Sequence, residues 1–205
     1  MKALAAVLLA AAWLAGCTRA ESPLAGCHLP TGATVLAIGD SLTRGQGADG
    51  DGYAEQLQQR VGDAFTVVQV GINGERSEGL LARIDDALAE HRPGLVFVTS
   101  GGNDLLRRVP AERTLANLRE LAARIRAAGA VAVIFAVPQP GLGAVAGLLD
   151  DHPMFDALAG DLHVIPGVVS GVLGNDALKA DAIHPNRAGY TRLADAAEAV
   201  LQRCR

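Results

Sequence analysis

The chain has 205 residues, 50% of them apolar and 20% charged, with a formal net charge of -4. That length suits one globular domain whose core is large enough to stand without metal or disulfide staples. An acidic chain with no basic stripe lacks the electrostatic footprint of a nucleic-acid binder, so no nucleic-acid partner is expected.

Residues 1–16 carry one charge, Lys2, then the apolar stretch Ala3 to Leu14, and end in Leu14-Ala15-Gly16 directly before Cys17. This pattern reads as a signal peptide and is excluded from the fold. Leu14-Ala15-Gly16-Cys17 resembles the bacterial lipobox, in which the cysteine is lipidated and becomes the first mature residue. On that resemblance Cys17 anchors the chain to a membrane; ordinary secretion with cleavage near Ala15 is the alternative. The expected address is the bacterial cell envelope, lipid-anchored and facing the periplasm, and the non-acidic Thr18 is compatible with sorting to the outer membrane. A second Leu24-Ala25-Gly26-Cys27 has no apolar stretch of adequate length before it and carries no such meaning.

Removing the leader takes away Trp13, the only tryptophan, and leaves Tyr53, Phe65, Phe97, Phe135, Phe155 and Tyr190 as the aromatics. A site built on stacked sugars would be short of flat rings. Residues 17–30 are polar with Gly and Pro and read as a tether, followed by one domain over 31–205. At about 3.3 Å per residue such a tether keeps the domain within a few nanometres of a bilayer. With Cys17 assigned to the anchor, Cys27 and Cys204 remain, and an exported chain meets an oxidising compartment in which cysteines pair. A first strand beginning near Ala33 and a last helix running antiparallel to it would put both at the amino edge of a sheet, so a Cys27–Cys204 disulfide is expected.

From Ala33 onward strand-like and helix-like segments alternate. Val35–Ile38, Phe65–Val70, Leu95–Val98, Val131–Val137 and Leu162–Ile165 are short, β-branched and nearly unbroken in apolarity, as strands buried on both faces are. Helical stretches lie between them, at about Tyr53–Val61, Ser77–Glu90, Ala111–Ala128, more weakly Met154–Gly160, and Arg187–Gln202. On the third, Leu115, Leu118, Leu121, Ala122 and Ile125 make one apolar stripe, which is ordinary packing. The alternation predicts an α/β fold: three αβα layers around a doubly wound, mostly parallel sheet of about five strands. No repeat or low-complexity segment occurs.

Polar blocks follow three of the apolar runs: Gly39-Asp40-Ser41-Leu42, Gly71-Ile72-Asn73-Gly74 and Gly101-Gly102-Asn103-Asp104. A fourth, Asp181-Ala182-Ile183-His184-Pro185-Asn186, lies near the C-terminus. Loops at the carboxyl ends of parallel strands share one crevice, so these blocks can meet. They bring a hydroxyl, an imidazole, a carboxylate and several oxyanion donors, which is what serine-based acyl transfer requires. Position 43 is Thr, so Ser41 is not in a G-x-S-x-G elbow. Alone, a serine at a strand end is more often a helix cap than a nucleophile.

The four blocks in order resemble the signature blocks of the SGNH/GDSL hydrolase superfamily, from about Thr34 to Tyr190. They look most like its bacterial esterase, acyl thioesterase and lysophospholipase group, with a flavodoxin-like fold. The resemblance implies Ser41 as nucleophile, His184 as general base and Asp181 as the carboxylate that orients the imidazole. It implies an oxyanion hole of the backbone N–H groups of Ser41 and Gly74 with the side-chain amide of Asn103, and no cofactor or metal. The chemistry of the residues agrees. A hydroxyl needs a base, an imidazole titrates at about 6.5, and three residues of spacing let Asp181 and His184 meet in one tight turn. Asn186 can cap the final helix.

Asp40 and Asp104 read as loop hydrogen-bonders. His28, His91, His152 and His163 read as solvated or core residues, of which only His152 approaches the site. The apolar, Gly-rich Pro138–Met154 connection reads either as the wall of an acyl groove, with Leu105 and Leu106 opposite, or as an extra helical turn on the core. The expected function is a membrane-tethered, monomeric serine esterase that acts through an acyl-enzyme on small acyl esters, acyl thioesters or lysophospholipids. Alternatives are an envelope polysaccharide O-deacetylase, a metal-dependent phosphoesterase using Asp40, Asp104, Asp181 and His184, and a non-catalytic binding lipoprotein.

Overall fold

The computed structural model describes residues 24–139 and 149–205; the leader, Cys17 and the middle of the Pro138–Met154 connection lie outside the described residues. Five strands, β1 (Ala33–Gly39), β2 (Phe65–Gly71), β3 (Leu95–Thr99), β4 (Val131–Phe135) and β5 (His163–Ile165), form one sheet in the order β2-β1-β3-β4-β5. Every pairing is parallel. The α-helices are α1 (Ser41–Arg44), α2 (Tyr53–Val61), α3 (Ser77–His91), α4 (Gly102–Leu106), α5 (Ala111–Ala127), α6 (Val168–Leu173) and α7 (Arg187–Gln202). Helix α2 packs on α7 and α3 on α5, so two helical layers enclose the sheet as the alternation predicts.

The inner strands are buried throughout: Val35 to Ile38 of β1 and Leu95 to Val98 of β3 have no exposed surface. Their unbroken apolarity is what two covered faces demand. The expectation of two buried faces fails at β2, where Thr66 is exposed and Val67 to Gly71 are only half-buried. β2 is an edge strand, with one neighbour instead of two. Phe135 anchors the core between Tyr53 and Phe97, with ring centroids at 5.2 Å and 6.0 Å. Burying a ring of that size contributes about 1.5–3 kcal/mol.

Three short helices, α1, α4 and α6, have no counterpart in the sequence reading, because four to six residues are too few to display a 3.6-residue stripe. The weak helix at Met154–Gly160 is a 3-10 helix over Pro153–Leu158, and β4 stops at Phe135. The stretch read as a tether belongs to the domain from Leu24 on. Leu24 and Leu29 are buried. The Leu29 N–H donates to the Cys204 carbonyl at 2.7 Å, and Cys27 is bonded to Cys204. Polar composition suggested a solvated linker; two leucines and the bridge dock it instead beneath the amino end of the sheet. Among the described residues no helix is long and apolar enough to cross a membrane.

β1 and β3 are neighbours, and the chain winds outward from them in both directions. At such a switch point the loops leaving the carboxyl ends part and open a crevice. Gly39 stands beside both Gly71 and Thr99 in the register, so the loops after β1, β2 and β3 start at one level.

Candidate active site

Gly39 closes β1 with φ at +147°, and a Cβ there would lie 2.0 Å from the Thr99 carbonyl oxygen, so only glycine permits this approach. The next residue, Asp40, donates its N–H to that carbonyl at 3.1 Å. Its Oδ1 accepts from the Leu42 N–H at 3.0 Å and from Thr99 Oγ1 at 3.0 Å. Asp40 is thus the N-cap of α1, which makes Ser41 the first helical residue. β2 runs directly against this turn: a Cβ on Gly71 would lie 2.4 Å from the Arg44 nitrogen.

Ser41 Oγ lies 3.0 Å from His184 Nε2, although 143 residues separate them. Asp181 arranges the imidazole. Its Oδ1 accepts the Ile183 and His184 N–H groups at 2.8 Å and 2.9 Å, closing a tight turn. Its Oδ2 and Oδ1 lie 2.8 Å and 3.0 Å from His184 Nδ1. A carboxylate at Nδ1 fixes the proton there and leaves Nε2 as the acceptor facing Ser41. Burial is the largest single influence on the Asp181 carboxyl and pushes it up, but hydrogen bonds from the His184 ring and from both backbone N–H groups together hold it below its ordinary range. His184 is 7% exposed, so the hydroxyl–imidazole contact is largely shielded from water. Behind it Asn186 caps α7, accepting from the Gly189 N–H at 3.0 Å. From α7 the Tyr190 hydroxyl donates to the Gln46 carbonyl at 2.9 Å and ties the histidine segment to the serine segment.

Asp40 bonds a neighbouring backbone N–H within its own turn, as expected, whereas Asp104, inside α4, bonds across to Ser77 instead of within its own loop. Burial pushes the Asp40 carboxyl up to about 6 against the opposing hydrogen bonds of Leu42, Thr99 and Asn103 and the nearby His184. Asn103 Nδ2 donates to Asp40 Oδ2 at 3.4 Å. Asp104 points elsewhere, accepting from the Ser77 N–H at 2.9 Å and Ser77 Oγ at 2.7 Å at the start of α3. Gly74 lies beyond β2 in the same cluster of loops, its carbonyl accepting from Arg107 Nη1 at 2.8 Å, but it does not line the cavity beside Ser41. Glu75, given no role by sequence reasoning, pairs with Arg83 at 2.6 Å, and Arg83 donates to the Gly39 carbonyl at 3.4 Å. This ion pair pins the β2–α3 loop to the end of β1.

The cavity measures about 270 Å³ and holds Asp40, Ser41 and Asn103 at its polar edge. Its remaining wall is mostly apolar, with Leu42, Leu106, Val137, Pro138, Leu149 and Ile183 around the mouth and Val169 and Leu173 from α6. Leu106 takes the place expected of it, whereas Leu105 lies outside the lining. Sequence reasoning missed Val169 and Leu173; the only signal was their four-residue spacing between Gly167 and Gly174. His152 does not reach the cavity: its Nδ1 accepts the Met154 N–H at 3.2 Å and caps the 3-10 helix. His28 lines a separate cavity with Phe65 and Arg205 at the other end of the sheet. His163 starts β5, where burial and then the Arg203 charge lower its pKa. The donor set of a phosphoesterase metal does not converge, because Asp104 is turned to Ser77 and Asp181 to His184. Among the described residues no three His, Cys, Asp or Glu side chains are placed to share an ion.

Residues 37–192 match the model of the GDSL-like Lipase/Acylhydrolase family. The chain belongs to this family. It is 33% identical over 167 residues to Esterase TesA of Pseudomonas aeruginosa, a match that covers 78% of this chain and 83% of that relative. It is 29% identical over 166 residues to Thioesterase 1/protease 1/lysophospholipase L1 of Escherichia coli, covering 79% and 80%. A crystal structure of TesA superposes with a TM-score of 0.73 at 31% identity, over 84% of this chain and 99% of that one.

Proposed function

We propose that this chain is a serine esterase that hydrolyses small acyl esters, acyl thioesters or lysophospholipids through an acyl-enzyme. The observation that carries the reading is the 3.0 Å contact of Ser41 Oγ with His184 Nε2 at the polar edge of an apolar cavity. In the first half of the reaction His184 Nε2 takes the Ser41 proton while Oγ attacks the acyl carbon, and the carbonyl electron pair moves onto oxygen. The resulting oxyanion is met by the N–H of Ser41 and the side-chain amide of Asn103, both at the cavity edge, and the N–H of Gly74, which stands outside the cavity lining, is the third donor the family resemblance implies. Collapse breaks the bond to the leaving alcohol or thiol, which receives the proton from His184. A water then repeats the sequence on the acyl-enzyme and returns a free acid and an intact Ser41. The relatives' names, esterase and thioesterase, support the substrate class. The apolar lining and the lack of aromatic rings in it favour acyl chains over a polysaccharide.

The reading extends to location. A lipid on Cys17, in the outer membrane facing the periplasm, would join the domain near the Cys27–Cys204 bridge, at the end of the sheet remote from Ser41. A Cys17→Ala chain is then expected in the soluble fraction of cells; retention with the membranes would overturn the anchor.

The test of the activity uses the purified protein with a graded p-nitrophenyl ester series, an acyl thioester and a lysophospholipid, together with a fluorophosphonate probe. Ester hydrolysis and covalent labelling, both abolished by Ser41→Ala in a folded protein, are expected. Hydrolysis that survives Ser41→Ala at more than about a thousandth of the original kcat would overturn the assignment.

A further inference from the structure

Helix α6 supplies two walls of the cavity, Val169 and Leu173, yet it is six residues long. A helix of that length does not hold itself, because nucleation costs more than one turn of hydrogen bonds returns. Something outside must fix it. On one side it packs against α7. It also meets the 3-10 turn Asp176–Leu178, and among the described residues one carboxylate reaches it: Asp151 Oδ2 accepts the Gly167 N–H at 2.6 Å, and Asp151 Oδ1 accepts the Ser170 hydroxyl in a short hydrogen bond.

Asp151 is itself fixed. It forms an antiparallel bridge with Pro138, the Gln139 N–H donates to the Asp150 carbonyl at 2.9 Å, and the His152 N–H donates to the Val137 carbonyl at 3.0 Å. These bonds pair residues 137–139 with residues 150–152 inside the β4–β5 connection, and the same stretch carries Val137 and Pro138 into the cavity wall. Ser170 is 3% exposed and its bond to the half-buried Asp151 is charge-assisted, which holds a rotation more firmly than a neutral hydrogen bond does. Fixing Ser170 fixes the rotation of α6. That rotation decides where its neighbour Val169, and Leu173 one turn further on the same face, enter the cavity.

We propose that Asp151 is a specificity-determining positioning residue, whose carboxylate clasps α6 to the base of the β4–β5 connection and thereby sets the depth of the apolar cavity beside Ser41. Neither Asp151 nor Ser170 lines the cavity, so the clasp acts through Val169 and Leu173 and has no part in the bond-making steps. The inference rests on the reading of this cavity as an acyl site. Releasing the clasp lets the α6 wall shift, which matters to a chain long enough to touch it and little to an acetyl group held at Ser41.

The experiment compares p-nitrophenyl acetate with p-nitrophenyl octanoate in the wild type, Ser170→Ala, Asp151→Asn and Asp151→Ala, with thermal melts to verify folding. Ser170→Ala removes one bond of the clasp and Asp151→Asn weakens it while keeping the shape, so both test the idea if Asp151→Ala does not fold. The octanoate-to-acetate ratio of kcat/KM is expected to fall at least fivefold in Ser170→Ala and Asp151→Asn, with the loss carried by KM for octanoate. A ratio unchanged within twofold in the folded variants, or an equal loss for both esters, overturns the proposal. Binding of a fluorescent fatty acid to Ser41→Ala, with and without Ser170→Ala, reads the same wall without turnover. A fivefold weakening supports the clasp, and equal affinities reject it. Failure of the esterase reading shows up separately, as a wild type that cleaves neither ester.

Discussion

Asp181 holds His184 three ways at once, through the backbone N–H of the histidine at 2.9 Å and through both carboxylate oxygens on Nδ1 at 2.8 Å and 3.0 Å. The turn and the tautomer therefore have one source. Asp181→Asn separates them. The amide oxygen can still accept the Ile183 and His184 N–H groups and keep the turn, but the amide nitrogen then faces Nδ1 as a donor. The ring proton is driven to Nε2, where it blocks acceptance from Ser41. A loss of about ten-thousandfold in kcat with little change in melting temperature is expected. Ester kinetics and a thermal melt on the same preparation check this, and a loss below tenfold would remove Asp181 from the proposed mechanism.

Asn103 has a side-chain amide that faces Asp40 with one hydrogen and lies at the edge of the cavity. Asn103→Ala removes a donor from the proposed oxyanion hole and leaves Ser41, His184 and Asp181 in place. Loss of one such donor costs about 2.7–4 kcal/mol of transition-state stabilisation, or roughly a hundred- to a thousandfold in kcat. The substrate KM is expected to stay within a few-fold, because the oxyanion exists only in the transition state. A change confined to KM would make Asn103 a ground-state contact instead.

The parts of the fold legible in the sequence were those with a long physical signature. β1 and β3 show as apolar runs because both faces of a central strand are covered, and α2, α3, α5 and α7 show as 9- to 17-residue stripes. Three of the polar blocks were legible because each directly follows an apolar strand run, and the fourth because Asp181 and His184 stand three residues apart just before the α7 stripe. What stayed hidden depends on distant contacts: Asp151 meets Gly167 and Ser170 only once the β4–β5 connection has closed, and α6 is too short to show a period. Leu24 and Leu29 were misread for a related reason, since burial of two isolated leucines is decided by the disulfide and the strand ends beneath them.

Asp40 makes stability depend on pH in a direction opposite to that of an ordinary surface aspartate. Burial raises its carboxyl from 3.8 to about 6, so between those values the folded chain binds a proton that the unfolded chain has released. Stability contributed by this group is therefore fully present below pH 3.8 and is lost as pH rises through about 6. The shift corresponds to about 3 kcal/mol in total. In Asp40→Asn the proton uptake is absent, so the stability of the wild type minus that of the variant is expected to fall by about that amount between pH 4 and pH 7. Urea unfolding at four pH values measures the difference, and a difference constant with pH would show that Asp40 does not take up a proton in this range.

The Cys27–Cys204 bridge spans 177 residues and encloses nearly all of the domain, for which the chain-entropy model gives about 5 kcal/mol of stabilisation. Its position says where that energy acts. The bridge sits under the amino ends of the strands, beside Leu29 and the Cys204 carbonyl, whereas Ser41 and Asn103 follow the carboxyl ends of β1 and β3, where His184 meets Ser41. Nothing in the Ser41–His184–Asp181 contacts runs through it. A Cys27→Ser, Cys204→Ser double variant should thus lose stability by several kcal/mol in urea, up to about 5, while the kcat of the molecules still folded at 25 °C stays within twofold. The same comparison in the presence of a reductant should bring the wild type to the level of the variant. A kcat that falls in step with stability, at temperatures where the variant is fully folded, would mean that the amino end of the sheet governs the geometry at its carboxyl end.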